Sequence, residues 1–475
     1  MDHKQSLDAL FKAKSIAILG ASSKAGKLGH RVVENAKAMD FSGEIYPVNP
    51  GSKEILGLKC YKSLEEISGK VDIAVMVLNA EECIKAAEEI ARRRDRIGDI
   101  NGVVVISSGF SEMGDETGRS REKALLAPLL ERGIRVIGPN CLGIIDTYHG
   151  VNTTFEIGNC PKGGVSIVSQ SGAFAQSCLR STEALGTIGI NKFVAMGNMK
   201  DVDVSELIEY LGDDARTNVI ALYLEGTKDA RKLMTTAAEV TKRKPIVSMK
   251  PGKTELGSRA AQSHTGSIAG SFAMYKGAFR QAGIVQTFDV PEFYHTIAAM
   301  DKTPLPKGNR VCVLTVVGGP GTICIDELMS SGVAELAKLS PETKTGLKKI
   351  LAPTANIGLL DGYIDMTGSV NEEIHHEVFK ILIADPQIDA IIFITPPPTF
   401  LDAELLANKI VSAYQSFPEA ERKTLLSVFV NGFSAADCRK ILEKNSMPTL
   451  EYPDTAAKVM TNMIRYSQYR SKNSK

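Results

Sequence analysis

No apolar run in the 475-residue chain approaches the ~18–20 residues of a membrane-spanning helix, so no membrane association is expected. The N-terminus, MDHKQSLDALFKAKSIAILG, lacks the continuous apolar segment of a secretory signal. An excess of one charge is missing as well. Lys+Arg 56 against Asp+Glu 55 gives no basic footprint, and no nucleic-acid partner is expected. The cysteines (Cys60, Cys83, Cys141, Cys160, Cys178, Cys312, Cys324, Cys438) show neither CxxC nor Cys/His zinc spacing. Most lie in apolar segments and read as small buried hydrophobes, which implies no metal centre and a reducing cytoplasm. Three signatures are also absent: a strict GxGxxG, a Walker A GxxxxGK[ST] and a GxSxG elbow around Ser171. A dinucleotide oxidoreductase, a P-loop enzyme and a serine hydrolase each lose their usual support.

What is present is ordinary globular material, 43% hydrophobic, long enough for about three domains at roughly 150 residues each. Apolar strands alternate with amphipathic helices throughout, which predicts parallel sheets covered on both faces, an α/β architecture of doubly wound domains. A polar link at 147–164 and the stretch KTPLPKG at 302–308 divide the chain into 1–146, 147–301 and 302–475.

Each division opens with a strand, a Gly-rich turn and a helix: SIAIL before GASSKAG, VSIVS before QSG, VCVLTVV before GGPG. Such a turn aims backbone N–H groups and the positive end of a helix at its contents, which suits a phosphate, although a ligand-free βα turn has the same grammar. In the first division Lys53 in NPGSK could add a positive charge. In the second, Glu225 ends the apolar strand IALYL and is either a rim carboxylate or part of a site.

The stretch PGKTELGSRAAQSHTGSIAG, 251–270, shows no apolar periodicity over 251–266 and reads as a long loop carrying His264. A helix follows over 271–281. His264 is either solvated on a slack connection or carried to a phosphate or acyl group. A neutral imidazole can attack phosphorus, and helix N-termini could hold the resulting dianion while Glu225 orients the ring. The pair His375–His376 sits on a predicted helix whose adjacent positions face different ways, so surface placement is expected rather than metal ligation.

The motifs GASSKAG, VNPGSK, RVIGPNCLG, SIVSQSGAF, YLEG and QSHTGSIAG, in this order, carry a resemblance. The chain resembles the alpha subunits of the ADP-forming acetyl-CoA synthetases, within the nucleotide-diphosphate-forming acyl-CoA synthetases. More distantly, over roughly residues 10–300, it is similar to the alpha subunit of succinyl-CoA synthetase. The resemblance implies an N-terminal Rossmann-like CoA-binding domain followed by two flavodoxin-like ligase domains. It implies a reaction in which acyl-CoA and phosphate give an acyl phosphate, whose phosphoryl group passes to a histidine and then to a nucleoside diphosphate.

On that resemblance His264 is the phosphorylated histidine and Glu225 its carboxylate partner. Ser169, Gln170, Ser171 and Gly172, with Gly318, Gly319 and Gly321, would head the helices that hold phosphate. CoA would lie against Gly20, Ser22, Ser23, Lys24, Ala25, Lys53, Ile106, Ser107 and Ser108, with Asn140 and Cys141 near its thiol end. Gln176 stands where the succinyl enzymes carry a substrate-contacting tyrosine, which disfavours succinate, and SHTGS stands where they carry GHAG. Acetate is then the default acid. No ATP-grasp region is recognisable, so ADP or ATP with Mg would sit on a separate ATP-grasp beta subunit, in an α2β2 assembly. The alternative is a non-catalytic CoA- or nucleotide-binding regulatory protein of the same fold.

Overall fold

The computed structural model describes residues 3–156, 160–265, 271–368, 370–396, 401–430 and 435–473, with the side chains of 3–5, 183–185 and 261–265 also outside the description. The chain forms two compact units, Met1–Gln286 and Thr287–Lys475. Among the described residues the first holds two large sheets and the short hairpin of Glu54–Ile55 and Leu58–Lys59, and the second holds one sheet.

The first sheet contains Glu44–Val48, Ser15–Leu19, Ile73–Met76, Gly102–Val105 and Arg135–Ile137 side by side, every pairing parallel. Ser15–Leu19, Ile73–Met76 and Gly102–Val105 are buried along their whole length, as expected of strands covered on both faces. In chain order the sheet reads second, first, third, fourth, fifth. The first strand's neighbours therefore leave in opposite directions, and that switch opens a crevice beyond the carboxyl ends. Beneath the sheet, Arg93 and Asp99 form a fully buried pair. The guanidinium also donates to the carbonyls of Leu64, Ile67 and Gly69.

The second sheet repeats the wiring with Ile190–Ala195, Lys162–Ser169, Val219–Tyr223, Ile246–Met249 and Val285–Thr287, and adds the antiparallel pair Gly143–Asp146 and Val151–Asn152 against Ile190–Ala195. Lys192 in this sheet is buried between Asp146, at 3.2 Å, and Asp214, at 2.5 Å. The third sheet is parallel again: Arg310–Thr315 lies between Ala390–Thr395 on one side and Glu335–Leu336 with Tyr363–Asp365 on the other, and Thr424–Phe429 and Thr449–Leu450 complete it.

Two expectations fail. The stretch 251–270 is not a continuous loop: Glu255–Thr265 is a helix. Thr254 starts it by accepting from Gly257 N–H at 3.1 Å, and Glu255 pairs with Arg259 one turn on at 2.6 Å. Its described positions are largely exposed, with Leu256 at 75%, so it needs no apolar stripe and shows none to a periodicity search. The second failure is His375, which is fully buried edge-on to Phe393 with Nδ1 at 2.8 Å from the Asn371 carbonyl. Its neighbour His376 is half-buried, close enough to Glu373 and Glu377 to suggest a cation site, but Lys409 and Lys380 already contact those carboxylates.

Candidate functional site

Two places gather the residues singled out above. The first is a cleft of about 1160 Å³ at the carboxyl end of the first sheet, lined by the turn after Ser15–Leu19, by 77–79 and by 106–109. Gly20, Ser22, Ile106, Ser107 and Ser108 line it directly. Ser23, Lys24 and Ala25 continue the same turn and are exposed, and Lys53 is exposed in the loop after Glu44–Val48.

Close packing builds this turn. A Cβ on Gly20, which has φ +85°, would stand 2.1 Å from the Val77 carbonyl oxygen, and one on Gly29 would stand 2.0 Å from that of Gly20. Only glycine lets strand, turn and helix approach so closely. Two side chains that sequence reasoning missed, His30 and Asn49, brace the turn, and the expected Ser107 braces the strand end beside it. His30 Nδ1 lies 3.0 Å from the Ser22 carbonyl, Asn49 donates to the Ala21 carbonyl at 2.7 Å, and Ser107 Oγ accepts from Leu78 N–H at 3.0 Å. The helix Leu28–Ala38 starts at Lys27, which offers its first turn no side-chain acceptor, so the helix end remains open to an anion. Lys27 and Lys85 line it too, with Glu82 and with Arg121 paired to Glu81 at 2.7 Å. A glycine turn heading an uncapped helix is suited to a phosphate.

Asn140 and Cys141 follow the first sheet's last strand. Asn140 has φ +57° and is exposed, its amide 3.5 Å from the Asn198 side chain. The Cys141 thiol is 3.2 Å from the Val105 carbonyl, and burial pushes its pKa up to about 12. It is therefore protonated at neutral pH and no nucleophile.

The second place is the carboxyl end of the second sheet. Ser169, the last residue of its strand, donates through Oγ to the Ser171 carbonyl at 2.8 Å and accepts from Ser171 N–H at 3.2 Å. Ser171 caps the helix Gly172–Leu185 by accepting from Phe174 N–H. A Cβ on Gly172 would meet nothing within 4 Å, so this glycine leaves an open approach to the helix N-terminus rather than relieving a clash. Gln176 is half-buried on the same helix.

Gln170 does what its sequence position does not announce. Its side-chain oxygen accepts from the N–H groups of Glu225, at 2.6 Å, and Gly226, at 3.0 Å. Glu225 is only 4% exposed, so it belongs to the interior of this strand-end cluster and not to the rim. Next to it, burial and the Glu225 charge push the Tyr223 phenol up to about 12. Phe174 stacks on that ring, centroids 4.5 Å apart. His264 lies in the last turn of the helix Glu255–Thr265; its side chain and residues 266–270 lie outside the described residues.

In the second unit the glycine turn repeats the same local device. Thr315 ends its strand, donates to the Val317 carbonyl at 2.7 Å and accepts from Val317 N–H at 3.0 Å. The helix Gly318–Ser330 then starts without a side-chain cap. A Cβ on Gly319 would meet nothing, whereas one on Gly321 would strike the Tyr363 ring at 2.8 Å.

Comparison with known proteins fits this division of labour. Residues 14–147 match the CoA binding domain family, and residues 162–300 match the succinyl-CoA ligase like flavodoxin domain. The chain is 38% identical over 464 residues to the Pyrococcus furiosus acetate–CoA ligase [ADP-forming] II subunit alpha, covering 97% of this chain and 98% of that one. It is 36% identical to the Methanocaldococcus jannaschii acetate–CoA ligase [ADP-forming], covering 97% of this chain but 63% of the longer relative. Among solved structures, the Ca. Korarchaeum cryptofilum dinucleotide forming acetyl-coenzyme A synthetase 1, in complex with phosphate and ADP, superposes with a TM-score of 0.90 at 32% identity, covering 98% and 97% of the two chains.

Proposed function

The chain belongs to the family of ADP-forming acetate–CoA ligase alpha subunits, and from that membership we propose that it carries the CoA and phosphohistidine steps of a reversible acid–CoA ligation. The buried Glu225, clamped by Gln170 beside an open helix N-terminus, is the observation that carries this reading.

The cleft of the first sheet takes acyl-CoA, its phosphates at the turn 20–27 and Lys53, its thioester end toward Asn140 and Cys141. Orthophosphate attacks the acyl carbon; the C–S bond breaks, a C–O bond forms and CoA leaves. A ring nitrogen of His264 then attacks phosphorus; the P–O bond to the acyl group breaks and the free carboxylate leaves. Glu225 holds the second ring nitrogen in the tautomer that leaves the attacking lone pair free. N–H groups at the head of Gly172–Leu185 stabilise the phosphoryl oxygens as fixed donors. The turn at Gly318, Gly319 and Gly321 offers a second phosphate-holding helix end within its own unit. Gln176 borders the acid, which by family is acetate or another small acid.

Phosphohistidine finally delivers phosphate to ADP. The nucleotide and Mg sit on an ATP-grasp beta subunit in an α2β2 assembly; the 63% coverage of the longer relative leaves room for such a part. Incubation with acetyl phosphate tests the reading. Intact-mass analysis should find one acid-labile, base-stable phosphoryl group, absent from His264→Ala, and an unmodified wild type would refute it.

A further inference from the structure

Gln170, Glu225 and Lys250 follow the carboxyl ends of three adjacent parallel strands, Lys162–Ser169, Val219–Tyr223 and Ile246–Met249. Lys250 is 3% exposed. Its Nζ donates to the Glu225 carbonyl at 2.6 Å and to the Pro251 carbonyl at 3.3 Å, and it lies 4.8 Å from the centre of the Tyr275 ring. Burial drives its pKa below the ordinary lysine range, and the Glu225 charge pulls it back up.

A buried ammonium held by two carbonyls and a ring face is a poor bargain for folding alone. Taking the charge out of water costs several kcal/mol as an order of magnitude, and neutral carbonyls offset only part of that. A methionine would fill the same space at no such cost. The location supplies a reason for retention. Pro251 begins the segment that climbs into the His264 helix, and Glu225 is the carboxylate proposed to orient that histidine.

We propose that Lys250 is a charge-balancing and positioning residue of the phosphoryl-transfer site, tying the Glu225 loop to the base of the His264 helix and offsetting the negative charge that a phosphorylated histidine brings beside Glu225. This rests on the phosphohistidine reading above. Phosphohistidine is a dianion, and with the Glu225 carboxylate it would place about three negative charges in a partly desolvated pocket, where helix dipoles contribute only about half a charge each. One fixed cation, already desolvated, needs no reorganisation when that charge arrives.

The test uses the full chain as wild type, Lys250→Met and Lys250→Arg. Each is followed for phosphohistidine formation from acetyl phosphate, for thermal unfolding and for CoA binding. Lys250→Met should melt at or above the wild-type temperature and bind CoA unchanged, yet phosphorylate at least tenfold more slowly. Lys250→Arg should recover part of the rate. Wild-type phosphorylation in Lys250→Met overturns the proposal. So does a fall in its melting temperature, which would make Lys250 a structural residue. Absence of phosphate from the wild type itself would fell the phosphohistidine reading instead.

Discussion

The side-chain oxygen of Gln170 accepts hydrogen bonds from both Glu225 N–H and Gly226 N–H, joining two strand ends that are 55 residues apart. Through this contact the turn that leads into the helix Gly172–Leu185 is tied to the backbone that carries the buried carboxylate. Gln170→Ala would leave two backbone donors without their acceptor, a cost of about 1–3 kcal/mol. The expected outcome is a lower melting temperature together with slower phosphohistidine formation, measured on the same samples. Full phosphorylation in a destabilised variant would separate Gln170 from the chemistry.

Lys53 is exposed in the loop after Glu44–Val48, so the phosphate contact proposed for it would be a modest one. Lys53→Ala should weaken CoA binding by roughly three- to tenfold, the scale of about 1 kcal/mol at an exposed site. Phosphorylation by acetyl phosphate, which needs no CoA, should not change. Calorimetry and intact-mass kinetics read the two quantities separately.

Seven of the eight cysteines are buried, and burial holds Cys141, Cys178, Cys312, Cys324 and Cys438 up at about 12. Iodoacetamide at pH 8 should therefore label Cys160, the half-buried exception, and leave Cys141 untouched in the folded protein. Peptide mapping decides it. Rapid alkylation of Cys141 would contradict its burial.

The Arg93–Asp99 pair supports the first sheet from beneath, with side-chain exposures of 0% and 2%. Asp99→Asn would leave a guanidinium buried without its counter-charge, and the loss should be about 3–5 kcal/mol. Denaturant unfolding followed by CoA binding should show the first sheet lost at lower denaturant. A change under about 1 kcal/mol would mean that the carbonyls of Leu64, Ile67 and Gly69 satisfy Arg93 unaided.

Acid should loosen the second sheet at Asp214. Burial opposes its ionisation, but hydrogen bonds from Lys192 and Asn191 outweigh that and hold its pKa at about 2, below the ordinary 3.8. A carboxylate depressed in the folded state adds stability above its unfolded pKa and loses it as pH falls through the folded one. The difference in stability between wild type and Asp214→Asn should thus be full above about pH 4 and shrink toward pH 2. A pH-independent difference would assign the effect to packing.

Sequence alone carried the alternation of strands and helices, because buried parallel strands such as SIAIL and AIIFIT are continuous apolar runs. It located Gly20, Ser22, Ser107 and Glu225 through turn and strand-end chemistry. It missed contacts whose partners are distant in the chain: Asn49 to Ala21, Gln170 to Glu225, Lys250 to Glu225. No periodicity encodes those, since each depends on which strands lie side by side. The helix Glu255–Thr265 was hidden for the opposite reason: it rests on a cap and a local ion pair, and an exposed helix leaves no apolar stripe. His375 shows a limit of residue type, for a histidine on a helix can fill a core position against Phe393.

The first sheet and the parallel set of the second are each wired second, first, third onward, and the main parallel sets belong to successive stretches of chain. The joint around 138–142 lies between the last strand of the first sheet and the first strand of the second, outside both ladders. A polypeptide built this way tolerates being cut or fused at its joints, because a gene break there removes no ladder hydrogen bond.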